Sequence, residues 1–265
     1  MSDPQLQQHD LLPRAAQAVV AAAQINAGDT VLEVGPGLGA LTAAILESGA
    51  SVTAVERDPA RVAHLQTRFA TAIEAGRLTI LAGDAVRLRP ALPPGWRVLA
   101  NPPFNLTAAL LRTWLLKVWP GGAPRAIDLL LQREAARKLC ASPGAETHSS
   151  VLVRLTGNAR LALHLARTDV EPPSRVDLAV WSLRRVGNAP EPAELAAIDG
   201  VLERAFAGPH TVRDALRGVA TVVQIKRQAR ERGWNPEFHP RLLAPDDWRS
   251  LTAVLAKSGM LKSPL

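Results

Sequence analysis

A chain of 265 residues, 47% of them hydrophobic, carries enough apolar material for one large core and a smaller one, which excludes a disordered polypeptide. No apolar run reaches the roughly 18 residues of a membrane span, and the acidic start Met1-Ser-Asp-Pro-Gln-Leu-Gln-Gln-His-Asp10 lacks the basic region of an export signal, so a soluble cytoplasmic protein with no membrane partner is expected. The single cysteine, Cys140, excludes an internal disulfide and a cysteine-cluster metal site, and the net charge of +7 lies downstream: residues 1–100 hold 8 Lys and Arg against 9 Asp and Glu, residues 101–265 hold 23 against 15.

In chain order, residues 14–25 are rich in strong helix formers, and Asn26-Ala-Gly-Asp29 supplies the stop. Val31–Val34 reads as a short buried strand, residues 40–47 as a helix, and Ser51–Glu56 as a second strand. Further strands are predicted over 78–81, 98–100 and 127–131, separated by helical stretches around 59–75 and 106–116. Strands alternating with helices give right-handed crossovers and a mostly parallel sheet, whose ligands bind beyond the carboxyl ends of the strands where strand order reverses. The Pro-rich stretch Gly187-Asn-Ala-Pro-Glu-Pro192 then leads into three helical patterns, 193–207, 212–232 and 246–258. The fold expected is therefore α/β, with residues 1–187 as a Rossmann-like domain and 188–265 as a small C-terminal helical domain.

The first motif with chemical content is Glu33-Val-Gly-Pro-Gly-Leu-Gly39, a strand end, a glycine-rich turn and a helix start. Gly35, Gly37 and Gly39 allow a ligand to approach the backbone and allow turns that a Cβ forbids. On spacing alone, Gly35, Gly37 and Ala40 also satisfy the dinucleotide pattern, with Glu56 at about the 20-residue distance of its ribose-binding acid, so NAD stays open for this motif taken singly. Two features favour S-adenosyl-L-methionine instead. Glu33 stands just before the glycines, where a carboxylate would repel a pyrophosphate, and a further acid, Asp84 in Ala82-Gly-Asp-Ala85, ends a later strand. Glu56 is placed to accept both ribose hydroxyls and Asp84 to accept from the adenine amine, while Asp58, just before Pro59, is placed to cap a helix.

The most specific signal is Asn101-Pro-Pro-Phe104, directly after the strand 98–100. An exocyclic amine is a poor nucleophile because its lone pair is delocalised into the base. If the Asn101 side-chain oxygen and the Pro102 carbonyl each accept one amine hydrogen, the lone pair is relocalised and aimed at a methyl donor, and Asn101 thereby also borders the cofactor. Proline fixes φ and so holds that carbonyl, and Phe104 offers a face on which an extruded base stacks. This chemistry needs no metal. The histidines lack metal-ligand spacing, and His9, His148, His164 and His210 are expected at the surface or in structural roles. Trp114, Trp119, Trp234 and Trp248 are expected to pack in the core.

Taken together these residues resemble the ribosomal RNA adenine N6-dimethyltransferase family over nearly the whole chain. The matching stretches are residues 31–42, Ala54-Val-Glu-Arg-Asp58, Gly83-Asp-Ala85, Ala100-Asn-Pro-Pro-Phe-Asn105, Leu131-Gln-Arg-Glu-Ala-Ala-Arg-Lys-Leu139, residues 172–180 and the helical tail. The resemblance implies S-adenosyl-L-methionine as donor, ribosomal RNA or a ribosomal subunit as partner, and a monomer. Its small-subunit (16S) branch, suggested by residues 141–152, is favoured over the macrolide-resistance branch acting on large-subunit (23S) RNA and over a non-catalytic assembly protein of the same fold. The basic face expected to meet RNA comprises Arg133, Arg137, Lys138, Arg213, Arg217, Lys226 and Arg227. Against the family pattern, Pro102 stands where Leu or Ile is usual, Phe104 where Tyr is frequent, and Val170 where an aromatic helps hold the base. The basic run opening the tail's second helix is reduced to Ala207-Gly-Pro-His-Thr211, and the amino-terminal Gln-Asn-Phe-Leu pattern to Gln8-His-Asp-Leu-Leu12.

Overall fold

The computed structural model describes residues 10–141, 144–208 and 210–257, and for Phe104 the backbone alone. They belong to two compact units, one within Met1–Trp114, Val118–Arg137 and Ala159–Arg185, the other within Leu115–Lys117, Lys138–Asn158 and Val186–Leu265.

The first unit is built on a sheet. Its strands are β2 (Thr30–Val34), β3 (Ser51–Glu56), β4 (Leu78–Ala82), β5 (Arg97–Ala100), β6 (Ala126–Gln132), β7 (Gly157–Leu165) and β9 (Leu178–Arg185), preceded by the short β1 (Asp10–Leu11), which pairs antiparallel with β8 (Val170–Glu171) outside the sheet. The strand order is β4-β3-β2-β5-β6-β9-β7. Strands β2 to β6 pair in parallel, and β9 runs antiparallel to β6 over its full length, Ala126↔Arg184 to Gln132↔Leu178. The chain steps outward from β2 through β3 to β4, then returns to the other side of β2 for β5, so the order reverses between β2 and β5. Residues 33–39 leave the end of β2 and residues 101–104 follow β5, at the switch point where such sheets place ligands.

Helix α1 (Pro13–Ala23) begins with proline at its first turn and buries Ala15, Ala16, Val19, Val20 and Ala23, one face at helical spacing, in a core shared with Leu41, Ala44 and Ile45 of α2 (Ala40–Glu47). The predicted helix over 59–75 is two helices, α3 (Pro59–Arg68) and α4 (Ala70–Glu74), because Phe69 leaves helical geometry at φ −113°, ψ 25° and packs against this core. Helix α5 (Thr107–Leu116) follows a single 3₁₀ turn, Phe104–Leu106. Trp114 and Trp119 are buried as expected, and so are Trp96 and Trp181. Trp96 lies 4.8 Å from Trp119 between ring centroids and donates from Nε1 to the Gly122 carbonyl.

The second unit holds α7 (His148–Thr156), α8 (Pro192–Ala205), α9 (Val212–Ala215), α10 (Val222–Arg232) and α11 (Pro245–Lys257), and α6 (Arg133–Leu139) bridges the sequence boundary after β6. Its core collects Leu195, Ile198, Val201, Leu202, Ile225, Trp248, Leu251 and Leu255. His148 has a structural role, with Nε2 2.8 Å from Asp199 Oδ1 and its ring stacked on Phe206. The single helix expected over 212–232 is corrected to α9 and α10. Gly218 enters the left-handed region at φ +83°, and Thr221 starts a new helix with a capping box in which Gln224 N–H donates to Thr221 Oγ1 and Thr221 N–H donates to Gln224 Oε1. Among the described residues no helix is long and apolar enough to cross a membrane. Replacing Thr221 by Ala removes that cap, and we expect a loss of about 1 kcal/mol on urea unfolding with the slope unchanged.

Candidate active site

Three consecutive turns of the glycine motif lie in the left-handed region, Gly35 at φ +68°, Gly37 at +60° and Gly39 at +84°, which explains why the sequence puts glycine at each. Gly35 N–H donates to the Val55 carbonyl of β3, anchoring the loop to the neighbouring strand. Gly39 precedes α2, and a Cβ there would lie 2.5 Å from Cε2 of Phe69, so the kink residue between α3 and α4 is also the wall against which the loop is packed. A Cβ on Gly35 would lie 4.0 Å from the Asn101 carbonyl oxygen and 3.9 Å from Cδ of Pro103. The glycine loop and the Asn-Pro-Pro segment, 66 residues apart in sequence from Gly35 to Asn101, are thus close enough that a methyl group on Gly35 would touch the second segment.

Two acids line the carboxyl ends of β2 and β3. Glu33 is buried, and its Oε2 accepts from the Thr42 hydroxyl at 2.7 Å. Burial pushes its carboxyl up to about 8, the Thr42 hydrogen bond opposes this, and the charge of Glu56 adds to it. Glu56 is also buried, at 4% exposure; Oε1 accepts from the backbone N–H groups of Arg57 and Asp58 at 2.8 and 3.0 Å, which orients the carboxylate, while Oε2 is buried with no partner among the described atoms. A buried carboxylate oxygen without a donor calls for one, and a ligand hydroxyl supplies it. Gly83 N–H donates to the Glu56 carbonyl, which brings Asp84 beside the end of β3. Asp84 itself caps its own turn, with Oδ1 accepting from Val86 N–H at 2.8 Å and Oδ2 3.7 Å from Arg87. Asp58 caps α3 as the sequence suggests, accepting from Ala60 N–H.

A residue that sequence reasoning did not single out is Asp10. Its Oδ1 is 3.4 Å from the Leu38 amide and 2.6 Å from where a Cβ on Gly37 would stand, so the amino-terminal strand is drawn over the glycine loop. The pairing Leu11↔Val170 sets this register, and Val170 is itself 1% exposed in the core. The only signal in the sequence is the position of Asp10 inside Gln8-His-Asp-Leu-Leu12.

Of the other anticipated positions, Asn101 is partly buried and Pro102 buried at the end of β5, whereas the side chain of Phe104 lies outside the described atoms. The basic residues fall in both units: Arg133 and Arg137 in the first, Lys138, Arg213, Arg217, Lys226 and Arg227 in the second. Arg133 pairs with Asp177, Arg213 with Glu237, Arg217 with Asp214 and Arg227 with Glu231. Such exposed pairs contribute about 0–1 kcal/mol each, so exchanging a carboxylate for a phosphate costs little. Arg137, Lys138 and Lys226 are exposed.

Glu33 has a consequence for stability. Unfolded, its carboxyl titrates near 4.5; folded and without ligand it holds its proton to about 8, so its contribution is full below the lower value and is lost as pH rises through the higher. We expect the Tm of the Glu33→Gln variant minus that of the parent to grow from about pH 5 to about pH 9, and a pH-independent difference would contradict the assignment.

Comparison with known proteins places the chain in a family. A family model described as ribosomal RNA adenine dimethylase matches residues 9–226. The chain is 32% identical over 254 residues to the ribosomal RNA small subunit methyltransferase A of Thermosynechococcus vestitus, covering 94% of each, and 37% identical over 245 residues to that of Gloeobacter violaceus, covering 91% of this chain and 88% of the other. Among solved structures it shares its fold with a dimethyladenosine transferase from Plasmodium falciparum, with a TM-score of 0.73 at 20% identity over 95% of this chain and 98% of that one. The 23S rRNA methyltransferase ErmE gives a TM-score of 0.70 at 20% identity over 93% and 99%.

Proposed function

The chain belongs to the ribosomal RNA adenine dimethylase family, and from that premise we propose that it dimethylates the N6 amines of adenines in small-subunit (16S) ribosomal RNA during ribosome maturation, with S-adenosyl-L-methionine as donor. The observation that carries this reading is the approach of Gly35 to Asn101 and Pro103, which sets a glycine cradle beside an amine-binding segment. The names of the curated relatives favour the small-subunit target, and the likeness to ErmE at 20% identity bears on the fold alone.

The cradle fits the donor. Its three left-handed glycines leave three of the five positions in the turn without a side chain, the unpartnered Glu56 Oε2 suits a ribose hydroxyl, and the buried Glu33 suits a cationic ligand, which would draw its carboxyl back toward the charged form. When bound, S-adenosyl-L-methionine supplies an electrophilic methyl on a sulfonium. Asn101 and the Pro102 carbonyl hold the amine hydrogens of the target base and so return lone-pair density to nitrogen, Asp84 accepts from the cofactor's adenine amine, and Phe104 stacks on the extruded base, a contact worth about 1–3 kcal/mol in comparable sites. The lack of an aromatic at Val170, which packs in the core, leaves that stacking to Phe104. Residues 188–265 serve as the RNA-binding domain of a cytoplasmic monomer, with Arg213, Arg217, Lys226 and Arg227 reaching phosphates there and Arg133, Arg137 and Lys138 reaching them from the end of β6 and α6.

Incubation of the purified protein and labelled donor with immature small subunits is expected to yield dimethyladenine. The Asn101→Ala variant is expected to lose at least about 100-fold in rate while keeping its affinity for RNA. Parent protein that binds the RNA and transfers no methyl group would overturn the reading. The logarithm of the RNA affinity is expected to fall linearly with the logarithm of salt concentration, and salt-independent binding would exclude phosphate contacts as its source.

A further inference from the structure

At the edge of the sheet opposite the glycine loop, the first unit holds a cavity of about 610 Å³ whose lining includes Arg97, Arg125, Arg184, Gln24, Asn26 and Ile25. Arg97 opens β5, Ala126 opens β6 and Arg184 lies near the end of the antiparallel β9, so the cavity sits at the amino ends of the parallel strands, away from every residue of the candidate active site. A volume in the range of about 300–1,000 Å³ is that of a small-molecule site and is too large for a bare ion.

The three guanidiniums are held rather than mobile. Arg97 donates from Nη1 to the Gln24 carbonyl at 2.7 Å and to Asp29 Oδ2 at 3.0 Å, and from Nη2 to the Ala23 carbonyl and to Asp128. Arg184 donates from Nη1 to both oxygens of Asp128 and from Nη2 to the Ala23 carbonyl, and Arg125 pairs with Asp29. Two features are left over once these bonds are drawn. Three guanidiniums face two carboxylates, which leaves one positive charge, and Nε of Arg97, a side chain only 5% exposed, is buried without a partner. A structural cap for the end of α1 accounts for the carbonyl contacts and, through the partial negative charge of the helix end, for about half of that charge, and it leaves the Arg97 Nε unaccounted for.

We propose that this cavity is a binding site for a nucleoside phosphate, its phosphate met by the arginines and its sugar and base by Gln24, Asn26 and Ile25. Guanidinium forks match phosphate oxygens, and arginines already fixed by carboxylates lose little entropy on receiving one. The nucleotide is either free or one unit of an RNA strand; the second source rests on the RNA-binding reading above, the first does not.

Uridine 5′-monophosphate is the probe, since the cofactor cleft is proposed to take an adenosine. By titration calorimetry with the full chain, saturable binding is expected that S-adenosylhomocysteine does not displace. Arg125→Ala is the variant, because Arg125 is 52% exposed and Asp29 keeps Arg97 as partner, whereas loss of Arg97 would strip buried Asp128 of a partner. Arg125→Ala is expected to weaken uridine 5′-monophosphate binding at least about tenfold with an unchanged unfolding transition. If the nucleotide belongs to RNA, the same variant also lowers the salt slope of RNA binding by roughly 0.7–0.9; an unchanged slope alongside lost nucleotide binding assigns the site to a free nucleotide. Absence of saturable binding to the parent, displacement by S-adenosylhomocysteine, or binding that Arg125→Ala leaves intact would each overturn the proposal, and none of these depends on whether methyl transfer is observed.

Discussion

Two loops that leave neighbouring parallel strands on the same side come close together, and the function proposed for this protein depends on how closely they do. The pairing Val31↔Arg97 and Leu32↔Val98 sets β2 beside β5, so residues 33–39 and 101–104 emerge side by side at the point where strand order reverses. The two segments are close: a Cβ built on Gly35 would lie in ordinary van der Waals contact with the Asn101 carbonyl and Pro103, and it is the left-handed φ of +68° that asks for glycine there. Chain connectivity alone would leave an amine-binding segment and a cofactor loop as separate features. The adjacency of β2 and β5 brings the two segments together, as the proposed single site requires.

Around that contact the interior is unusually acidic. Glu33 and Glu56 are both buried, close enough to influence one another, and among the described residues no guanidinium pairs with either. Such an arrangement is costly in an empty protein, and burial is what raises the Glu33 carboxyl. A cationic donor would lower that cost and draw the Glu33 carboxyl back toward its charged form. At the opposite edge of the sheet the balance is reversed, with arginines outnumbering their carboxylates around Asp29 and Asp128. The one sheet therefore carries two chemically opposite surfaces, one at each end of its parallel strands.

Much of the central sheet was legible from the sequence because its elements obey local rules. Helix 40–47 and strand 51–56 appear with the bounds that periodicity and glycine placement suggest, and Asp58 caps α3 for the reason its place before Pro59 implies. The misses are where tertiary packing decides. Phe69 interrupts a helical pattern to pack behind Gly39, Gly218 and the Thr221 box divide another, and strands β7 and β9 escape notice because residues 166–177, with a 3₁₀ turn and the short β8, separate them, so no tight hairpin turn marks the pair. Near the glycine loop, Glu33 and Glu56 stand in or beside motifs that a sequence displays, and Asp10 does not. Its role arises from the ribbon Leu11↔Val170, a pairing between segments 159 residues apart that no local pattern encodes. The arginine-lined cavity was invisible for the same reason, since Arg97, Arg125 and Arg184 come from three separate strands or loops.

The claim that the glycine loop and the Asn-Pro-Pro segment form a single site is tested most directly with a bisubstrate ligand, an adenosine joined through its N6 nitrogen to the sulfur position of a cofactor analogue. If donor and acceptor lie in one cleft, this molecule binds at least about 100-fold more tightly than S-adenosylhomocysteine. Equal affinity for the two would mean that the loops, though adjacent, do not hold both partners at once.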